Sequence, residues 1–258
     1  MPIKIVDHTP LIDSEGNISL ANRVQGTLQF GAQWYKEMEA QAAILDRMKK
    51  YLNDRFTLLR NYTLPGPEVQ FPFILIGPQG AQVIYICSAG GIFEARGDQW
   101  LELNPRKQVF APAEPNPMRR AEMLSNSLSS FLAQYRPGVT VFPPVIFFSN
   151  AGIDIQTYDP SVRLVRLDAL NRYLQTLLAE EGSLSAFDVS NVAKVFERAA
   201  KAREAAAQKQ AQKPGGRSRK ATAPKLKFSN TQWIFLGALA LLSIIVFLIL
   251  VALLFSGG

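Results

Sequence analysis

The sequence has little cysteine and little histidine, one of each among 258 residues. A single cysteine cannot form a disulfide within the chain, so nothing implies an oxidising compartment. A structural zinc site is excluded as well, because it needs several Cys or His ligands at set spacings. Ser88 is not predicted to be a nucleophile, because a nucleophilic serine needs a base nearby and the one histidine, His8, lies in a polar N-terminal stretch. Cys87 is interpreted as a small apolar residue of a buried strand.

The glycine-containing motifs that bind phosphates or present a nucleophilic serine are also absent. The sequence contains no GxxxxGK[ST], no GxGxxG and no GxSxG. These motifs mark P-loop nucleotide binding, dinucleotide binding and the serine elbow of α/β-hydrolases. We therefore expect none of these three chemistries.

The net positive charge of the chain comes from one short stretch. The net charge is +7, but residues 201–232 carry nine basic residues and one acidic residue, a net charge of +8. The other residues carry 19 basic and 20 acidic groups, a net charge of −1. Net charge alone therefore gives no support for a nucleic-acid-binding face on the rest of the chain.

One long apolar run follows the basic stretch. Residues 233–255 contain no charge, no proline and one glycine. As a helix they would span roughly 35 Å, enough for a bilayer core of about 30 Å. We expect a tail anchor that contacts the lipid bilayer, with Trp233 at the interface. The preceding positive charges predict a cytoplasmic N-terminal domain and are candidates for anionic lipid contact: Arg217, Arg219, Lys220, Lys225 and Lys227. The first residues show no apolar signal-peptide region.

The remaining sequence alternates helical and strand patterns, which predicts an α/β (mixed α+β) domain with a central sheet flanked by helices. Helices are predicted over 34–54, 117–135 and 168–179 and after 182, with Asp168 as an N-cap and with Ser185 or Asp188 as another. Strands are predicted over 56–64, 72–77, 81–88, 139–150 and 162–167, with a short hairpin over 92–103 and a loop over 104–117. The expected organisation is an N-terminal extension of undetermined structure (1–33), a globular domain (34–200), a basic juxtamembrane linker (201–230) and a transmembrane anchor (231–258).

The order of these elements over residues 37–196 resembles the nuclease-related domain family. The segments that carry the resemblance are EAQAAILDRMKKYL with FTLLRNYTLPG, then FPFILIGPQGAQVIYICSAGGIF, Trp100, Asn116-Pro117, PPVIFFSN and VRLVRLDALNRYLQTLL. The resemblance implies a restriction-endonuclease-like core sheet. It also implies a site in which an Asp and a Glu bind a divalent metal and a Lys assists hydrolysis.

This sequence departs from that family at each of those positions. The Asp corresponds to Pro72, the Glu to Cys87 and the Lys to Ala89, and a Gln of the family corresponds to Arg120. None of these residues can hold Mg²⁺. Glu39 corresponds to a glutamate that the family often carries on its first helix, and Glu94 and Asp98 are the acids considered for a migrated site.

Three functions remain open from the sequence. The first is a binding or scaffolding protein at the membrane that has no catalysis, no cofactor and an unidentified protein partner. The second is a nucleic-acid-binding protein, with Arg96, Lys107, Arg119 and Arg120 as candidate phosphate contacts. The third is a divergent nuclease, which alone would require Mg²⁺.

Overall fold

The computed structural model describes residues 1–13, 17–65 and 69–211. In chain order, the elements are β1 (Lys4–Asp7), α1 (Leu20–Phe30), α2 (Trp34–Tyr51), β2 (Thr57–Thr63), β3 (Gln70–Gly77), β4 (Gly80–Cys87), β5 (Gly91–Arg96), β6 (Gln99–Asn104), β7 (Val109–Pro112), α3 (Pro117–Tyr135), β8 (Val141–Phe148), β9 (Ile153–Tyr158), β10 (Arg163–Val165), α4 (Leu170–Ala179) and α5 (Ala186–Ala211). The mixed α+β fold that the sequence predicted is confirmed.

The larger sheet places six strands in the order β1-β2-β3-β4-β8-β10. Strands β2, β3 and β4 are antiparallel neighbours, whereas β1, β8 and β10 each join in parallel. The predicted hairpin between β3 and β4 is present, and Gly77 pairs with Gly80 at its turn. Gly80 has φ of +144°, and a Cβ there would lie 2.2 Å from the carbonyl oxygen of Thr140. This turn therefore requires glycine.

Helices cover both faces of the larger sheet. Helices α2 and α4 pack on one face and α3 and α5 on the other, so the strands between them are buried on both sides. The helix residues in the first core are Ala40, Ile44, Leu45, Met48, Leu170, Tyr173, Leu174 and Leu177. Those in the second core are Leu124, Leu128, Phe131, Leu132, Val189, Val192, Ala193 and Phe196.

A smaller sheet of the order β7-β6-β5-β9 packs beside β8 and the start of α3. Its interface is aromatic, because the ring of Trp100 stacks on Phe93 at 4.6 Å and on Phe148 at 6.0 Å. The predicted β5–β6 hairpin is present. The loop predicted over 104–117 instead contains β7. This is an edge strand, in which Pro112, which has no N–H to donate, is tolerated. Strand β9 was not predicted.

The N-terminal residues, whose structure the sequence left open, join the larger sheet. Strand β1 pairs in parallel with β2, and α1 packs on α2. His8, interpreted as part of an unstructured extension, lies directly after β1, and its ring meets the ring of Tyr62 at 5.3 Å. A strand of four residues is too short to show a recognisable periodicity.

Helix caps follow the sequence in one case and not in another. Ser185 caps α5, because its Oγ accepts from the N–H of Asp188 at 3.2 Å while Asp188 Oδ2 accepts from the N–H of Ser185 at 3.1 Å. The prediction that Asp168 caps α4 is wrong. Helix α4 begins after Ala169 without a side-chain cap, and the carboxylate of Asp168 lies 3.6 Å from Arg166.

Within the described ranges, no helix has both the length and the apolar character needed to cross a membrane. The predicted span over 233–255 lies outside those ranges. The predicted topology residues, from Arg217 to Trp233, lie outside them too.

Candidate functional site

A cleft opens between the start of α2, the strands β3 and β4 and the loop that precedes α3. It has two arms of about 320 and 390 Å³. Both arms are lined by Glu37 of α2, by Tyr85 and Ile86 of β4 and by Pro115 of the loop. We refer to these two joined arms as the cleft.

The three positions to which the resemblance assigns the family's metal-binding and lysine residues all line this cleft. Pro72 lines one arm, and Cys87 and Ala89 line the other. Phe73 pairs with Ile84, which places Pro72 beside Tyr85, and Cys87 follows two residues later on the same face of β4. The structure therefore brings together the three residues that the resemblance singled out.

The donor groups of the cleft do not fit a divalent metal. Proline, cysteine and alanine offer none of the carboxylate oxygens that Mg²⁺ prefers. Three other acids line the cleft, Glu37, Glu102 and Glu114. In the described part of the chain, however, no three His, Cys, Asp or Glu side chains are grouped to hold a metal ion. Arg120 shares an arm with Glu37, and its positive charge opposes a bound cation.

Glu37, rather than Glu39, is the α2 acid that faces the cleft. Partial burial between the cleft walls raises the pKa of the Glu37 carboxyl above 4.5, although the charge of Arg120 counteracts this shift. Glu39 points outward, 4.0 Å from Arg23, and 60% of its side chain is exposed. Glu39, which the resemblance matches to a glutamate on the family's first helix, therefore does not line the cleft.

Tyr85 and Cys87 remain protonated at neutral pH. Burial is the main cause that raises the pKa of the Tyr85 hydroxyl, and Cys87 and Glu37 raise it further. Burial likewise raises the pKa of the Cys87 thiol above 9.0, and a backbone hydrogen bond with Ala89 offsets this only in part. A nucleophilic cysteine needs the opposite shift. Ser88 lines the cleft beside them.

The acids considered for a migrated metal site are engaged elsewhere. Glu94 is buried in β5, and its carboxylate lies 2.9 Å from Arg96. The carboxylate of Asp98 lies 3.1 Å from Arg119. Neither acid lines the described walls of the cleft.

Two of the candidate phosphate contacts, Arg96 and Arg119, are the cations of those ion pairs. Arg96 further stacks over the ring of Tyr158, at 5.2 Å from its centroid. Lys107 is exposed beyond the end of β6. Of the four residues proposed from the sequence, Arg120 is the one placed in the cleft.

A buried polar network forms one wall of the cleft, and the sequence patterns did not reveal it. Arg60 Nε donates to Gln41 Oε1 at 3.1 Å, and Asn61 Nδ2 donates to the same oxygen at 2.8 Å. Gln41 and Asn61 both line the cleft. Asn61 adopts φ of +50° within β2, which turns its side chain toward the network. Polar residues within an apolar strand, as in LLRNYTL, were the available signal.

One comparison with known proteins supports the resemblance over part of its length. The family model described as the nuclease-related domain matches residues 36–148. That match runs from α2 to the end of β8 and includes Pro72, Cys87 and Ala89. No curated protein and no solved structure matches this chain. The family match supports the presence of a nuclease-related domain in this protein.

Proposed function

We propose that this protein is a membrane-tethered nuclease-related-domain protein without nuclease activity, which acts by binding or scaffolding at the cytoplasmic face of the membrane. One observation carries the proposal. The cleft in which an active relative would place Asp, Glu and Lys holds Pro72, Cys87 and Ala89 instead. We further propose that the larger sheet corresponds to the restriction-endonuclease-like core that the resemblance implies.

The chemistry of the remaining cleft residues supports the loss of catalysis. Metal-assisted phosphodiester hydrolysis needs oxygen ligands that hold the cation and a group that activates water. Glu37 has a raised pKa and faces a guanidinium, which suits a carboxyl group that is neutral or paired rather than a metal ligand. Tyr85 and Cys87 keep their protons, so neither is a base at neutral pH.

The tether is supported by the sequence. Residues 233–255 are uncharged and long enough to span a bilayer, and the basic residues that precede them favour a cytoplasmic orientation. Deletion of residues 233–258 should therefore release the protein into the soluble fraction after membranes are sedimented. If the truncated protein still sediments with membranes in carbonate washes, the proposed anchor is wrong.

Nucleic-acid binding is the second candidate, and the position of Arg120 in the cleft is the observation that favours it. Two of the other candidate contacts, Arg96 and Arg119, are already paired with acids. Fluorescence anisotropy with single-stranded and duplex DNA and RNA at low salt decides between the candidates. If the protein acts by binding or scaffolding other partners, it should show no salt-dependent binding of DNA or RNA. Binding that weakens in Arg120→Gln but not in Arg119→Gln would favour the second candidate.

A nuclease assay tests the loss of catalysis directly. The full chain, purified in detergent, is incubated with linear and circular DNA and with RNA in the presence of Mg²⁺ or Mn²⁺. We expect no cleavage above a preparation that carries Glu37→Gln. Cleavage by the parent that is abolished in Glu37→Gln or Glu94→Gln would instead establish a divergent active site.

A further inference from the structure

Helix α1 carries three aliphatic side chains on the surface of the domain. Leu20 is 77%, Val24 56% and Leu28 83% exposed. These residues recur every four positions and therefore form one stripe along the helix. Helices at the surface of a globular domain normally turn such a stripe toward the core.

The stripe lies opposite the face by which α1 contacts the domain. Successive residues of an α-helix are rotated by about 100°, which places Leu20, Val24 and Leu28 around a direction about 180° from Asn22 and Gly26. Gly26 is buried and Asn22 is half-buried, whereas the stripe is exposed. Helix α1 is thus amphipathic with its apolar face outward.

Specific contacts fix this orientation. The Gly26 backbone lies so close to Trp34 that a Cβ would fall 2.1 Å from the indole ring. Phe30 stacks on the same indole at 5.7 Å. Arg23 lies over the ring of Tyr35, at 3.6 Å from its centroid. Rotation of α1 to bury its aliphatic stripe would lose all three contacts. These contacts therefore hold the stripe on the outside of the domain.

We propose that this stripe docks α1 onto the surface of the lipid bilayer, with Leu20, Val24 and Leu28 among the acyl chains. The proposal rests on the membrane tethering proposed above. A helix that lies in a membrane interface presents aliphatic residues to the lipid and cationic residues beside them. Helix α1 contains no acid that anionic lipid would repel. Its one cation, Arg23, is held at the edge of the domain between Tyr35 and Glu39.

The position of α1 relative to α5 supports the bilayer as the occupant. Phe30, at the end of α1, lines a groove together with Ala200 and Arg203 of α5. After α5, residues 212–232 carry six Lys or Arg and no acid, and the uncharged run over 233–255 comes next. Three aliphatic side chains are too few for a stable protein interface, which buries about 1,200–2,000 Å². A bilayer needs no complementary partner surface and is held nearby by the tether.

Site-directed fluorescence on the full chain tests the proposal. Because Cys87 is the sole cysteine, Cys87→Ala provides a background for single-cysteine variants. Leu28→Cys and Gln29→Cys are labelled with the environment-sensitive dye NBD and reconstituted into vesicles of phosphatidylcholine and phosphatidylglycerol. Gln29 is the matched control, since it is exposed on the same helix but points about 100° away from Leu28. A fraction of the lipid carries a nitroxide quencher on its acyl chain.

We expect the label at position 28 to lose several times more fluorescence to the acyl-chain quencher than the label at position 29. Equal quenching at the two positions would overturn the proposal. A blue-shifted label at position 28 that the lipid does not quench would overturn it as well, because a second copy or another segment of the chain would then cover the stripe.

Vesicle flotation separates this proposal from the tether. Protein that floats with the vesicles without preferential quenching at position 28 retains the tether and loses the α1 contact. Protein that does not float refutes both. Leu20→Gln with Val24→Gln should leave the thermal unfolding temperature unchanged, because both side chains are exposed, and should reduce the quenching at position 28.

Discussion

The guanidinium of Arg60 lies 3.1 Å from the carboxylate of Asp7 and joins the centre of β2 to the end of β1. Arg60 is 5% exposed, and its Nε also donates to Gln41 of α2 at 3.1 Å. One buried arginine therefore connects the N-terminal strand, the sheet and the helix that carries Glu37. Asp7, which precedes the domain boundary predicted at residues 33 and 34, therefore supports the wall of the cleft that contains Gln41.

Asp7→Ala should destabilise the protein by about 3 kcal/mol, because it leaves a buried guanidinium without its counter-ion. Urea unfolding followed by circular dichroism measures this loss. Asp46→Ala is the control, since Asp46 pairs with Lys49 at 3.5 Å on the surface and should cost less than about 1 kcal/mol. Equal costs for the two variants would show that the Arg60–Asp7 pair does not stabilise the fold.

Sequence periodicity predicted the elements that bury a full face. The apolar spacing in α2 and the uninterrupted apolar runs of β3, β4 and β8 are visible because these elements pack in the cores. Strands β1 and β7 have four residues each and leave most of their side chains partly or fully exposed, so they carry too little pattern. Their pairing depends on neighbours that are distant in sequence.

The candidate site was predicted in part. Pro72, Cys87 and Ala89 were placed by motif order, and the structure brings them to one cleft. Glu37 was not singled out from the sequence, because two residues on a helix differ by about 200° in direction and the resemblance does not define which face meets the cleft. The network around Arg60 includes Asn61 at a positive φ, a backbone conformation that the strand pattern did not predict.

Stability should fall between pH 10 and pH 12 because of two buried tyrosines. Burial raises the pKa of Tyr62 and of Tyr173 from 10.0 to about 12. In this window the unfolded chain loses these protons while the folded protein keeps them, so the free energy of unfolding decreases as the pH rises. The loss amounts to at most about 3 kcal/mol per tyrosine.

Phenylalanine variants test this alkaline loss. The Tyr62 hydroxyl donates to the carbonyl of Phe196 at 2.9 Å, so Tyr62→Phe should cost about 1 kcal/mol near neutral pH. Above pH 10, the variant should lose less stability than the parent, because it has no proton to release. Urea unfolding across the pH range gives both values, and Tyr158→Phe, at an exposed site, is the control. Parallel curves for Tyr62→Phe and the parent would contradict the assignment.

Arg120→Gln should raise the pKa of Glu37 further above 4.5. Burial raises this pKa and the positive charge of Arg120 lowers it, so removal of the charge leaves burial less opposed. Carbon-13 NMR of the Glu37 side-chain carboxyl, followed against pH, measures the change. Arg119→Gln is the matched control, because Arg119 is the preceding residue but pairs with Asp98. Equal titration of Glu37 in both variants would place Arg120 too far away to act on it.

The raised pKa of Glu37 also has a defined effect on stability. The folded protein holds this proton at pH values where the unfolded chain has released it. The free energy of unfolding therefore decreases as the pH rises from 4.5 through the raised pKa. Glu37→Gln should remove this contribution, so it should be more stabilising at neutral pH than in acid. Urea unfolding of the parent and of Glu37→Gln, at neutral pH and below pH 4.5, measures the gain in the free energy of unfolding. A larger gain in acid than at neutral pH would contradict the direction of the pKa shift.

Two carboxylates introduced at Pro72 and Cys87 should create a metal-binding site in the cleft. Pro72 lies beside Tyr85, and Cys87 is two residues further along β4, a diagonal relationship that separates Cβ atoms by about 7–8 Å. Two acidic side chains at that separation reach a common cation, which prefers their oxygens. In Pro72→Asp with Cys87→Glu, we expect Mn²⁺ to raise the unfolding temperature, because the metal binds the folded state alone. Cys87→Glu by itself and the parent should show no such shift. A double variant that is indifferent to Mn²⁺ would mean that the two positions do not face a common point, and the proposed correspondence of this cleft to the family's metal site would fail.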